Sequence, residues 1–294
     1  MLDWFAANFT TLLNGLALGS VLFLIAIGLS LVFGTMDVLN LAHGAISLVG
    51  AYVGVAMFDG RPSTGTFLLA VVVAALVGFA AGGLLAAMTG PVRNHLRQAL
   101  LTLGMALIAA ELLREVFGSN VRSVASPEAL AGSISLGGSP YPVYRLLMIG
   151  VGAVIAVALY LALDRTRAGA IVRATVADRG MVESIGIRTR VVLLLVFGVG
   201  AALATVGGLL AAPILGAQPG LDDQILLLAL VIVVIGGLGS LGGAVLGALI
   251  VGQVQSIGVV LAGEFASFLL FAAMAAVLLL RPQGLLPART GSHA

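Results

Sequence analysis

Few residues of this 294-residue chain have types and spacings that permit chemistry. Asp37, Asn40 and His43 put three polar side chains within seven residues, between Gly34 and Gly44, with Gly50 just beyond. The stretch joins two apolar runs. At membrane depth, irregular polar backbone is tolerated only against protein or a water-filled cavity. One reading is a broken helix that lines a solute path through Asn40, His43, Gly44 and Gly50. The other is a short turn before a glycine-packed helix, with His43 satisfied by a neighbour. Spacing alone weighs these equally.

A second group is Gly236, Gly237, Gly239, Ser240, Gly242 and Gly243. Small residues let membrane helices approach closely, so packing is its plain reading. The two groups echo each other, however: Gly44 to Gly50-Ala51 resembles Gly243 to Gly247-Ala248, with spacings that differ by two. Glycine-interrupted segments in both halves of a transporter point to a substrate site. Half-helix N-termini there offer free N–H groups and a positive dipole end to a carboxylate. On the path reading, bulky replacements at Gly44 or Gly239 abolish uptake and leave assembly intact.

The third group lies in Asp164–Arg190, the most polar part of the chain. Ile171, Val172, Val176, Val182 and Ile185 recur at helical intervals, with Arg173, Asp178, Arg179 and Glu183 on other faces. The pattern predicts one amphipathic helix over 170–186, stopped at Gly186. It lies on lipid headgroups or enters a groove on a cytosolic partner.

Other chemistries lack their residues. There is no cysteine, so thiol chemistry and thiolate metal sites are excluded, and three histidines leave no metal cluster. All 14 basic residues are arginine, and a P-loop needs lysine. Neither a Ser/His/Asp set nor His-Glu-x-x-His is present. No catalytic role, metal or resident cofactor is expected. The middles of the apolar runs are nearly free of ionisable groups, which disfavours proton coupling. Glu111 and Arg114, spaced i,i+3, read as an interfacial pair.

The elements that must position these residues follow from composition. Hydrophobic residues make up 61% and charged residues 9%, and mean hydropathy is +1.20. That excludes an ordinary soluble domain and a disordered chain. Apolar runs cover 12–33, 38–58, 67–90, 99–117, 146–163, 191–216, 224–263 and 265–280. The 224–263 run is too long for one helix and is broken at its glycines. The fold class is therefore all-α: a polytopic membrane protein of about eight to nine transmembrane helices with glycine-broken segments. It reads as one transmembrane domain over 1–294, with a loop at 118–141 able to form a small external cap and a cytoplasmic loop at 164–190. Placing 164–190 inside puts ten arginines inside (Arg93, Arg97, Arg165, Arg167, Arg173, Arg179, Arg188, Arg190, Arg281, Arg289) and four outside (Arg61, Arg114, Arg122, Arg145). The N-terminus is thus expected outside and the C-terminus in the cytoplasm. Met1–Thr11 lacks the basic region of a cleaved signal, so the first helix is expected to remain.

The 164–190 loop resembles the coupling loop of ABC importer permeases, an Arg-x-x-x-Gly-x-x-x-Arg-Ala…Asp…Glu-x-x-x-Gly-Ile pattern here carried by Arg165, Gly169, Arg173, Ala174, Asp178, Glu183, Gly186 and Ile187. Asn40-Leu-Ala-His-Gly44 with Gly50-Ala-Tyr52, Gly236-Gly-Leu-Gly-Ser-Leu-Gly-Gly243 and Arg281-Pro-Gln-Gly-Leu285 are similar to signatures of the branched-chain amino-acid ABC transporter permease family, the LivH/LivM type. The short N-terminal segment looks more like the LivH member. The match spans roughly 12–286; Ala174-Thr175 departs from it, since family members often carry a bulkier residue after Arg-Ala. The resemblance implies a multi-pass permease of the bacterial cytoplasmic (inner) membrane. It implies a second permease subunit, usually forming a heterodimer, two cytosolic ATP-binding subunits that hold ATP and Mg, and an external substrate-binding protein, with no nucleic acid involved. Transport is by alternating access, of branched-chain amino acids or a related small amino acid or amide. The path then involves Asn40, His43, Gly44, Gly50, Gly236, Gly237, Gly239, Ser240 and Gly242. Coupling to the ATPases involves the 165–186 positions, with Arg173 and Asp178 as docking contacts and Gly169 and Gly186 as bounds of the helix. The alternative is a passive channel for a small neutral solute such as urea, which has no use for an amphipathic cytoplasmic helix.

Overall fold

The computed structural model describes residues 2–36, 40–92, 94–136 and 139–286, so Asp37, Arg93 and Arg289 lie outside the described residues. Each apolar run is a helix: α1 Leu2–Met36, α2 His43–Met57, α3 Thr64–Thr89, α4 His95–Phe117, α5 Val143–Arg165, α8 Thr189–Leu215, α9 Leu221–Gly236, α10 Leu241–Ala262 and α11 Ala266–Leu280. The expected break near 236–243 falls between α9 and α10. The polar loop holds α6 Arg167–Ala177 and α7 Arg179–Ser184.

α1 and α8 are central. In their most apolar windows 78% and 61% of residues are buried, against 11% in α5, which faces outward. Lipid tails are as apolar as leucine, so close packing replaces the hydrophobic effect as the force that joins helices. Glycines supply the close approaches. A Cβ on Gly28 of α1 would strike the Gly200 carbonyl of α8. One on Gly19 would come 2.8 Å from the Ala248 carbonyl of α10, and one on Gly82 of α3 would strike the Phe197 carbonyl of α8.

These contacts fix directions. Gly19 lies on Ala248 and Gly34 on Gly239, so α1 and α10 are antiparallel. Gly78 lies on Thr205 and Gly82 on Phe197, so α3 and α8 are antiparallel too. α1 and α8 also oppose each other, with Gly28 on Gly200 and Gly207 on Ile25. The two most extensive helix packings, α3 on α8 and α1 on α10, are thus the same interaction in two halves of the chain. Helices α1–α2–α3 have 35, 15 and 26 residues, and α8–α9–α10 have 27, 16 and 22. This long–short–long pattern with opposed directions is an inverted repeat. It corrects the echo read from sequence, which matched α2 to α10; packing matches α2 to α9.

Among the described residues five helices, α1, α3, α5, α8 and α10, are long and apolar enough to cross a membrane alone. α2 and α9 rise only about 22–24 Å at 1.5 Å per residue, short of the ~30 Å hydrocarbon core. Of the second run, expected to be helical from Val38, residues 40–42 form a turn and the helix begins at His43; 38–39 lie outside the described residues.

Segment 118–142 departs from all-helix. A 3-10 turn at Glu128–Leu130 precedes strands β1 Ser133–Leu136 and β2 Ser139–Pro142, which pair antiparallel in the register Ser133–Pro142. The small cap expected there is this hairpin. Arg122 pairs through its backbone with Ala217, and the Glu128 N–H donates to the Pro62 carbonyl at 3.1 Å. Three loops therefore meet at one end of the molecule, the hairpin end. The α6–α7 loop is at the opposite, arginine-rich end.

Candidate functional site

The turn before α2 is buried inside the helix bundle. Asn40 is 3% exposed, and its Oδ1 accepts from the Ala42 N–H at 3.1 Å. The Leu41 N–H donates to Thr102 Oγ1 of α4 at 3.2 Å. His43 is 1% exposed, and its Nε2 lies 2.7 Å from the Ile25 carbonyl of α1. A carbonyl only accepts, so Nε2 carries the proton and Nδ1 is left without a partner. Ile25 is about nine residues, or some 13 Å, from the Gly34 end of α1. α2 is therefore a half-helix whose N-terminus starts well inside the bundle, which is the broken-helix reading. His43 also has the protein neighbour that the competing reading required.

The N-terminal turns of the two half-helices meet. A Cβ on Gly44 would strike the Asp222 carbonyl of α9 and stand 2.9 Å from Leu226 Cβ. One on Gly50 would strike the Thr205 carbonyl of α8. A side chain at Gly44 or Gly50 thus collides with backbone, so the expected separation of lost uptake from intact assembly does not hold for Gly44.

Around this junction is a cavity of about 150 Å³. It is lined by Leu41 of the turn, Ala45 of α2, Ala106 and Ala110 of α4, and Asp222 and Asp223 in the first turn of α9. Asp222 is 8% exposed and its Oδ1 accepts from the Gly220 N–H at 3.1 Å. A carboxylate at a helix N-terminus is stabilised by the dipole. The sequence reading missed both aspartates by treating them as loop ahead of the apolar run that starts at Gln224. The available signal was an acidic pair immediately preceding that run.

The second glycine group lies elsewhere. α9 carries the chain about 21 Å from Asp222 to Gly236. There Gly236 and Gly243 face each other too closely for either to bear a Cβ, and Ser240 Oγ caps α10 by accepting from the Gly243 N–H at 3.0 Å. Gly237 and Gly239 have φ of 108° and 71°, which side chains rarely adopt. Gly242 is exposed, and Leu286 lies 3.4 Å from where its Cβ would be. The Leu285 and Leu286 N–H groups donate to the Ile235 and Gly236 carbonyls at 2.9 Å. Gly236, Gly237, Gly239, Ser240 and Gly242 thus build a tight α9–α10 turn, apart from Asn40, His43, Gly44 and Gly50.

The 164–190 loop differs from its expected form. The single helix over 170–186 is two helices, broken at Asp178, whose backbone is extended (φ −154°, ψ 98°). Asp178 Oδ1 caps α7 by accepting from the Met181 N–H at 2.9 Å. Arg165 is the exposed last residue of α5. Gly169 sits inside α6 rather than bounding it; its N–H is capped by Thr166 Oγ1 at 3.1 Å, and a Cβ there would strike the Leu163 carbonyl. Arg173 reaches back to that carbonyl and to Asp164 at 3.6 Å. The Ala174 carbonyl accepts from the Asp178 N–H at 2.9 Å, closing α6.

Gly186, with φ 86°, ends α7 as expected. Its N–H bonds Glu183 O at 3.0 Å and the Ile187 N–H bonds Val182 O at 3.3 Å, a Schellman pair. Glu183 accepts from Thr189 Oγ1 and from Arg179 Nε, the latter at 3.1 Å. The Thr189 bond first, and then Arg179, hold its carboxyl below the usual range. Val182 is buried, whereas Val176, Met181 and Ile185 are 47%, 65% and 67% exposed. The Glu111–Arg114 pair forms at 2.7 Å with both side chains half exposed, as an interfacial pair would.

Residues 11–278 match the family described as the permease component of the branched-chain amino acid transport system. The chain is 30% identical over 296 residues to the high-affinity branched-chain amino acid transport system permease protein BraD of Pseudomonas aeruginosa, covering 94% of each chain. It is 31% identical over 293 residues to the LivH permease proteins of Salmonella typhimurium and Escherichia coli, covering 93% of each chain. No solved structure matches it. The apolar helices, the inverted repeat and similarity over nearly the full length agree, and the chain belongs to the branched-chain amino acid transport permease family.

Proposed function

We propose that this chain is a transmembrane permease subunit of an ATP-driven importer and moves a branched-chain or closely related amino acid inward by alternating access. The observation that carries the reading is the near full-length match to permeases of branched-chain amino acid transport systems. The α6–α7 loop supports it. Val176, Met181 and Ile185 form an exposed apolar surface on an otherwise charged element, a form suited to a groove on a cytosolic protein. α6 packs on α5, α1 and α8, so force on the loop reaches the two central helices directly. Two cytosolic ATP-binding subunits hold Mg and ATP, a second permease subunit completes the path, and an external binding protein delivers the substrate. The chain sits in the bacterial inner membrane with the hairpin end outside and the arginine-rich end in the cytoplasm.

The test is purification of the tagged chain in mild detergent with whatever accompanies it, followed by uptake in proteoliposomes. P-loop subunits in the preparation and leucine uptake that needs ATP and the binding protein are the expected result. A lone chain that conducts solute without ATP would replace the importer with a passive channel. Met181→Asp with Ile185→Asp should cost at least tenfold in recovered ATPase subunits while leaving the chain in the membrane.

A further inference from the structure

We propose that the cavity between α2, α4 and the first turn of α9 is a chamber for a small amine-bearing solute, held by its ammonium on Asp222 and closed toward the hairpin end by the stacked rings of Tyr52 and Phe117. The identification of that solute as an amino acid rests on the function proposed above.

The cavity supplies size and charge. About 150 Å³ is the volume of an engineered cavity that accepts benzene, so it suits a small side chain. Asp222 is nine-tenths buried, with a single hydrogen bond recorded to it, from the Gly220 N–H. A buried carboxylate among apolar helices is costly unless it is paired. Asp222 stands in the first turn of α9, at the positive end of that helix, and a cationic ligand would complete its pairing. The N-terminal turn of α2 abuts the same point through Gly44 and offers its positive end to a carboxylate. A zwitterion presents both groups.

The closure follows from helical periodicity. Ala45 lines the cavity from α2 and Leu41 from the turn before it, and Tyr52 lies on the Ala45 stripe two turns on. Leu103, Ala106 and Ala110 line it from α4, and Phe117 lies on that stripe two turns beyond Ala110. Both aromatics therefore stand about 10 Å nearer the hairpin end, where their rings stack at 4.7 Å between centroids. Arg122 donates to the Phe117 carbonyl at 3.0 Å and pins the end of α4. Tyr52 is 1% exposed, and its hydroxyl has no hydrogen-bond partner among the described residues.

The natural absence of cysteine makes the test direct. Ala110→Cys places one thiol in the cavity wall of the full chain, purified with its partner subunits. Its reaction with cationic aminoethyl methanethiosulfonate is compared with anionic sulfonatoethyl methanethiosulfonate, each normalised to a free thiol. The cationic reagent should react faster by about tenfold from the nearby negative charge. In an Asp223→Asn background, adding Asp222→Asn should bring the ratio near one, and Phe117→Ala should speed both reagents. Millimolar leucine, valine or isoleucine should slow labelling only while Asp222 is present.

Equal rates for the two reagents in the Ala110→Cys chain overturn the proposal, and that comparison does not depend on whether Asp222→Asn folds. A cation preference that Asp222→Asn leaves unchanged in the Asp223→Asn background also overturns it, as does labelling that no amino acid slows. Failure of the importer reading appears separately, as absent leucine uptake by the unsubstituted assembly.

Discussion

At the residue scale, two glycines separate packing from propensity. A Cβ at Gly50 would sit on the Thr205 carbonyl, whereas nothing lies within 4 Å of a Cβ at Gly104 in the middle of α4. Gly50→Ala should destabilise the detergent-solubilised chain by about 1–3 kcal/mol through overpacking. Gly104→Ala should be neutral or stabilise it by up to about 1 kcal/mol, since glycine is a poor helix former. Thermal unfolding of the two variants side by side measures this. Glu183 gives a pH dependence with a definite sign. Its folded-state value is lowered, so the unfolded chain binds the proton more readily. The clasp to Thr189 and Arg179 is therefore fully present above the ordinary carboxylate range and is lost as pH falls through the lowered value. Hydrogen-exchange protection over 179–189, normalised to intrinsic rates, should drop in that acidic window and not in Glu183→Gln, which lacks the titrating group.

At the element scale, the break at Asp178 changes what that residue is expected to do. As a docking contact it acts by charge; as the cap of α7 it acts through one oxygen that accepts from the Met181 N–H. Asp178→Ala should loosen α7 by about 1 kcal/mol and lower the stimulation of ATP hydrolysis by loaded binding protein. Asp178→Asn, a comparable cap without charge, should restore most of that stimulation. If Asn behaves like Ala, charge matters and the cap does not explain the residue. Arg173 has likewise moved from a partner contact to a tether between α6 and the last turn of α5, because its guanidinium already holds Leu163 O and faces Asp164. The half-helices show the same contrast of reading and structure. The 38–58 run promised a crossing, but α2 begins at His43, after a buried polar turn at 40–42 braced by Thr102 and Ile25.

At the scale of the whole molecule, the inverted repeat and the arginine distribution define two ends. Single cysteines in this cysteine-free chain test which end is which. Ser119→Cys at the hairpin end should react with an impermeant thiol reagent in intact cells, and Ser184→Cys in α7 only after permeabilisation. The opposite result would invert the topology.

The sequence by itself determined the membrane class, the series of eight to nine apolar segments, the glycine break at 236–243 and the polar 164–190 loop. Those features are local, since hydropathy, breakers and amphipathic spacing act over a few turns of one segment. It also carried the family, through motifs each contained within a few residues. Only the tertiary structure decided that Gly44 meets Asp222, that α2 corresponds to α9, and that the 236–242 glycines lie at the far end of α9, about 21 Å along it from Asp222. The physical reason is that glycine's role in a membrane bundle belongs to whatever stands opposite it, and in lipid that partner is chosen by backbone fit between distant helices. Asp222 was hidden for the same cause. An acidic residue before an apolar run looks like a loop until the fold carries the start of that helix inward, against the N-terminus of another.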